Sequence, residues 1–162
     1  MELKRLGFVG LHSILIPERY PVITQRLLGA TSLYDWEVDV PMRFTSMASE
    51  HEILDEITEY NCTGEAYYEP LRLAEDVRPL LSMVVRGSGI RQVHKCENEY
   101  AVEGRDLTGL VSRICWFRQV GKGRVFYFQP GHETDPVYKD SVIQRLLLQG
   151  LHWVCQHRAR KA

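Results

Sequence analysis

Six consecutive residues, Leu6-Gly7-Phe8-Val9-Gly10-Leu11, present no polar side chain on either face of an extended chain. The run is too short for a helix and has a β-rich character. It reads as a strand buried on both faces. Such a strand needs a covering layer above and below its sheet, which is the α/β plan. At 162 residues the chain is expected to form one domain, residues 1–162. A domain of about 150 residues buries roughly 68–70% of its unfolded surface, enough for a core without staples. A hydrophobic content of 44% against 25% charged residues excludes disorder, collagen and coiled coil.

The strand ends at His12-Ser13. Pro17 and Pro21 then bracket a turn, and Val22–Leu28 reads as a short helix stopped by Gly29. A strand is expected around residues 36–44. Residues 50–59 carry Glu52, Asp55, Glu56 and Glu59 at helical spacing and read as a solvated helix face. Further strands are expected at Glu65-Ala66-Tyr67-Tyr68 and over residues 79–85, the latter closed by the turn signal Arg86-Gly87-Ser88-Gly89. Val111–Val120 and residues 124–128 flank Gly121-Lys122-Gly123, which predicts a β-hairpin and hence a mixed sheet. A closing helix is expected over residues 138–157. Its apolar stripe is Ile143, Leu147, Leu151 and Val154, with Arg158, Arg160 and Lys161 at its C-terminal end.

Twenty basic and twenty-one acidic residues leave a net charge of −1, so no basic field invites duplex nucleic acid. No apolar run approaches the length of a membrane span, and no signal peptide follows the N-terminus. A cytoplasmic location is expected. Cys62, Cys96, Cys115 and Cys155 form no C-x-x-C pair and are expected to be buried free thiols.

Several glycine-rich stretches imitate chemistry. Gly121-Lys122-Gly123 precedes a strand, whereas a phosphate loop precedes a helix. Gly87-Ser88-Gly89 lacks the third glycine of a dinucleotide site. Gly10-Leu11-His12-Ser13-Ile14 is not G-x-S-x-G, and no cysteine sits in a small-residue elbow. Two histidines at strand ends remain. His12 ends the first strand, and His132 follows Phe126-Tyr127-Phe128-Gln129-Pro130-Gly131 and precedes Glu133. If their strands are parallel neighbours, both face the crevice at the carboxyl ends of the strands. Glu65 lies near a third strand. Imidazole beside carboxylate suits proton transfer near neutral pH. The same set could instead hold a divalent metal, with His12 and His132 as candidate ligands. Tyr34, Trp36, Tyr67, Tyr68, Trp116 and Tyr138 collect around these turns. Aromatic faces with carboxylates suit sugars, although aromatic residues in strands also build cores.

The stretch from Gly121 to Glu133 resembles the signature of the ThuA-like (trehalose utilisation) proteins. The likeness continues through Pro136-Val137-Tyr138, Gln144-Arg145-Leu146-Leu147 and Gly150-Leu151-His152-Trp153. Gly7 through Ser13 resembles the family's earlier strand-then-His motif. Leu28-Gly29, Glu50-His51-Glu52-Ile53 and Gly64-Glu65-Ala66-Tyr67-Tyr68 fall between them in the family's order, while residues 90–109 match poorly. The resemblance implies an α/β fold similar to class I glutamine amidotransferases, a flavodoxin-like three-layer sandwich with a mixed sheet. His12 stands about where that superfamily has its cysteine nucleophile, so glutaminase activity is not implied. Compared with the family, the chain is expected to be N-terminally shortened.

Three functions follow as expectations. The first is catabolism of trehalose or a related disaccharide. His12, His132 and Glu133 would do acid/base work, and Ser13, Glu65, Tyr68 and Tyr138 would contact a small sugar. The second is a non-catalytic module in which an unpaired edge at residues 8–11 recruits a second copy or a partner subunit. The third is a metal-dependent hydrolase.

Overall fold

The computed structural model describes residues 6–15, 19–30, 35–57, 59–68, 72–95, 98–131 and 136–156. Eight strands are found among them: β1 Gly7–Leu11, β2 Asp35–Ser46, β3 Glu59–Tyr68, β4 Arg78–Val85, β5 Ser88–Lys95, β6 Asn98–Asp106, β7 Val111–Val120 and β8 Gly123–Phe128. They form one sheet in the order β1-β8-β7-β4-β2-β5-β6, with β3 also paired to β2. The sheet is mixed, as expected. Strands β1 and β8 run parallel, and the other described pairings are antiparallel. Among the described strands antiparallel pairs build most of the sheet, and the parallel β1–β8 pair is joined by a crossover.

The helix α1, Ser141–Cys155, covers one face across β1 and β8. A π-wound turn, Val22–Leu28, covers the other, and Gly29 ends it at φ 77°, a left-handed position that glycine adopts without strain. The two layers share strand β8. Its Val125 and Tyr127 enter a core with Leu27, Leu28 and Trp116, while Phe126 and Phe128 enter the core under α1. All four side chains are fully buried.

The strand buried on both faces is thus β8, not β1. In β1 only Gly10 is buried, and Leu11 is exposed. The reason is position: β1 ends the sheet, with β8 on one side and no described strand on the other. Its glycines serve close packing instead. A Cβ on Gly7 would stand 2.8 Å from the Val154 carbonyl oxygen of α1.

Three further expectations change. The acidic segment 50–59 is not a helix. It holds a 3-10 turn, Glu52–Leu54, and its last residue opens β3. Ile53, Leu54 and Ile57 are buried, so the segment packs inward instead of presenting one solvated face. The stripe of α1 is rotated: Ile143, Leu146, Gly150, Trp153 and Val154 are buried and Leu151 is exposed. Of the described cysteines, Cys115 is buried, Cys62 half-buried and Cys155 exposed. Cys96 lies outside the described residues.

Candidate functional site

The site begins with register. Leu11 pairs with Phe128 in the parallel β1–β8 ladder, so both strands end at the same level. His12 follows one strand and Gln129 the other. The two therefore sit side by side at the carboxyl ends of parallel strands, where open α/β sheets place ligands. Strand β3 brings Glu65 to the same place. The fully buried Gln129 donates from Nε2 to the Glu65 carbonyl oxygen at 3.1 Å.

His12 is held in an unusual conformation. Its φ is 45°, in the left-handed region, where the 3-10 turn His12–Ile14 starts directly from β1. A non-glycine residue there carries backbone strain of roughly 1–3 kcal/mol, and such strain collects at functional sites. Four contacts with described residues hold it. The Tyr127 hydroxyl donates to the His12 carbonyl oxygen at 2.7 Å. Nδ1 lies 3.2 Å from the Gln129 carbonyl oxygen. Nε2 lies 2.9 Å from Glu65 Oε2. The ring stacks on Tyr67, with centroids 5.6 Å apart and planes 24° apart. The His12 side chain keeps 20% of its surface exposed, against 6% for Glu65 behind it.

These contacts decide where protons sit. A carbonyl oxygen only accepts, so Nδ1 carries a proton. Nε2 stands within ion-pair distance of the Glu65 carboxylate, so the two form a salt bridge when the ring is protonated.

Of the residues singled out in the sequence, His12 and Glu65 come together. Ser13 follows His12 in the 3-10 turn and Tyr68 ends β3, but their side chains lie outside the described residues. His132 and Glu133 lie outside them entirely, as do Tyr34 and the last basic residues. Tyr138 is half-buried and packs on Gly131, where any Cβ would overlap its ring, so it lies beside the segment that follows Gln129. Trp116 and Tyr67 are core residues. Among the described residues no group of three His, Cys, Asp or Glu side chains forms a metal-sized set, so His12 and Glu65 offer a pair of ligands and no more.

Sequence reasoning passed over Tyr127 and Gln129. Both lie inside the Phe126-Tyr127-Phe128-Gln129 stretch quoted for the histidine after it. Strand alternation was the available signal. Two residues apart, they point to the same side as the strand ends at the crevice.

A family model described as ThuA, trehalose utilisation, matches residues 4–154. No curated protein matches the chain. Among solved structures, a protein described as ThuA-like from Bacteroides uniformis aligns with a TM-score of 0.60 at 20% identity, covering 91% of this chain and 58% of that one. At that identity the likeness concerns the fold, and the chain spans a little over half of that protein's length. With nearly its whole described length matched by the family model, the chain belongs to the ThuA family, whose name is trehalose utilisation.

Proposed function

We propose that the chain binds or processes a sugar-derived substrate in the catabolism of trehalose or a related disaccharide, and that His12 and Glu65 move the proton. The observation that carries this reading is the 2.9 Å contact between His12 Nε2 and Glu65 Oε2, with Nδ1 committed to a backbone carbonyl. In the free protein the two groups close on each other. A substrate hydroxyl or carbonyl would enter between them, as catalytic contacts rearrange on binding. The partly exposed imidazole is the member that meets substrate, and the buried carboxylate holds its charge. No cysteine nucleophile is part of this reading. A place for His132, Glu133, Ser13, Tyr68 and Tyr138 in the same crevice, within a flavodoxin-like sandwich of the amidotransferase type, belongs to the proposal.

The test is sugar binding followed by saturation-transfer NMR, with trehalose and glucose as probes. The variants are His12→Gln and Glu65→Gln, which keep a hydrogen-bonding side chain at each place. Both should weaken binding at least tenfold. Unchanged binding in both, or no sugar bound by the parent chain, overturns the reading.

A second reading rests on β1, which has no described strand on its outer side. That edge would pair with a second copy or a partner subunit. Light scattering on the purified chain decides it: a monodisperse monomer removes the self-paired form.

A further inference from the structure

We propose that Tyr127 and Gln129 are positioning residues, a two-point clamp through which one strand end holds both members of the proton pair. The inference rests on the His12–Glu65 reading above and names residues that reading does not use.

The clamp acts on main chain. The Tyr127 hydroxyl donates to the carbonyl oxygen of His12 at 2.7 Å, and the Gln129 side-chain amide donates to the carbonyl oxygen of Glu65 at 3.1 Å. Each residue thus grips the peptide of one partner. A third contact, from His12 Nδ1 to the Gln129 backbone oxygen, closes the set. Both clamp residues are fully buried and stand two residues apart at the end of β8, Tyr127 within the strand and Gln129 directly after it, so the spacing of their grips follows from the extended chain there. The His12 peptide needs such a grip, because φ 45° is not a conformation it would hold unaided.

Gln129 supplies a second sign that the arrangement serves the site and not the fold. Its Oε1 is buried and has no hydrogen-bond partner among the described residues. A buried acceptor without a donor is destabilising. A residue kept for stability alone would be better replaced by an apolar one of the same shape. Gln129 instead spends its amide donor on Glu65 and leaves its acceptor unmatched. Tyr127 differs: its ring also packs on Trp116, with centroids 4.4 Å apart, so only its hydroxyl belongs to the clamp.

The substitutions are therefore Tyr127→Phe, which removes the hydroxyl and keeps the ring, and Gln129→Met, which keeps the length and removes both amide groups. The readout is the pair of His12 ring-nitrogen chemical shifts in the ¹⁵N-labelled, ligand-free full chain. His12→Gln assigns the signals, and Glu65→Gln shows what a disturbed proton pair looks like. Each clamp variant should move the His12 ring shifts toward those of Glu65→Gln. The melting temperature of Gln129→Met should stay within a few degrees of the parent. His12 shifts unchanged in both folded variants overturn the clamp. If Tyr127→Phe does not fold, Gln129→Met decides alone, with unchanged shifts overturning the proposal. Because the protein carries no ligand in this experiment, a failure of sugar binding leaves the result readable and counts only against the proposed function.

Discussion

His51 accepts a hydrogen bond from the Ile53 amide at Nδ1, at 3.2 Å, and so begins the 3-10 turn that follows it. Its ring lies 4.3 Å from that of Phe117 and 5.7 Å from that of Trp153. Burial among these rings lowers its proton affinity from the ordinary value; Glu52 works against the shift and Arg124 adds to it. Proton linkage gives the sign. The unfolded chain protonates His51 near pH 6.5, and the folded chain only at lower pH. Between those points the unfolded state binds more protons, so stability falls as pH drops below about 6.5. His51→Asn keeps an acceptor for the Ile53 amide but cannot titrate. Its melting temperature should fall less than the parent's between pH 7 and pH 5.5; parallel falls would contradict the assignment. Beyond its place in a stretch that resembles the family, nothing in the sequence announces the burial of His51, because the rings that desolvate it come from β7 and α1. His12 was legible, since an apolar strand runs directly into it.

Helix α1 is capped by Asp140, whose carboxylate accepts from the Val142 amide at 2.8 Å. The same carboxylate accepts from Tyr60, and burial and this acid raise the phenol's pKa. Asp140→Ala should cost about 1 kcal/mol from the cap alone, read from chemical denaturation. A sharper test lies at Gly150. Helix propensity favours alanine there by about 1 kcal/mol. Yet a Cβ would stand 2.5 Å from the Phe126 ring, so the helix would have to lift from the sheet. Overpacking of this kind costs about 1–3 kcal/mol, and Gly150→Ala should lower stability despite the propensity gain. Leu148→Ala, on the exposed face of the same helix, should be nearly neutral. The helix itself was readable from its period. Its stripe was read a step out because Leu147 and Leu151 look like core residues. The buried face runs instead through Gly150, where the helix sits closest to β8. The 3-10 turn Glu52–Leu54 escaped for a similar reason: acidic spacing resembled a helix, while Ile53 and Leu54 were drawn inward by α1.

At the scale of the whole molecule, the two cores meet at β7 and β8, and Cys115 lies there with no exposed surface. Burial pushes its thiol well above the ordinary range. A variant retaining only Cys115 should therefore resist thiol reagents until the domain unfolds, whereas one retaining only the exposed Cys155 should react at once. Fast labelling of Cys115 in the native protein would mean that the sheet opens locally. By itself the sequence determined the α/β class, the β7–β8 hairpin, the closing helix and the placing of His12 at a strand end. These follow from side-chain period and turn chemistry, which act over a few residues. Tertiary structure decided the rest: which strand is buried on both faces, the largely antiparallel sheet, and the meeting of His12, Glu65, Tyr127 and Gln129. Those contacts join residues as much as 117 positions apart. Strand pairing across such distances is selected by the burial of both cores at once, and no local pattern of residues encodes it.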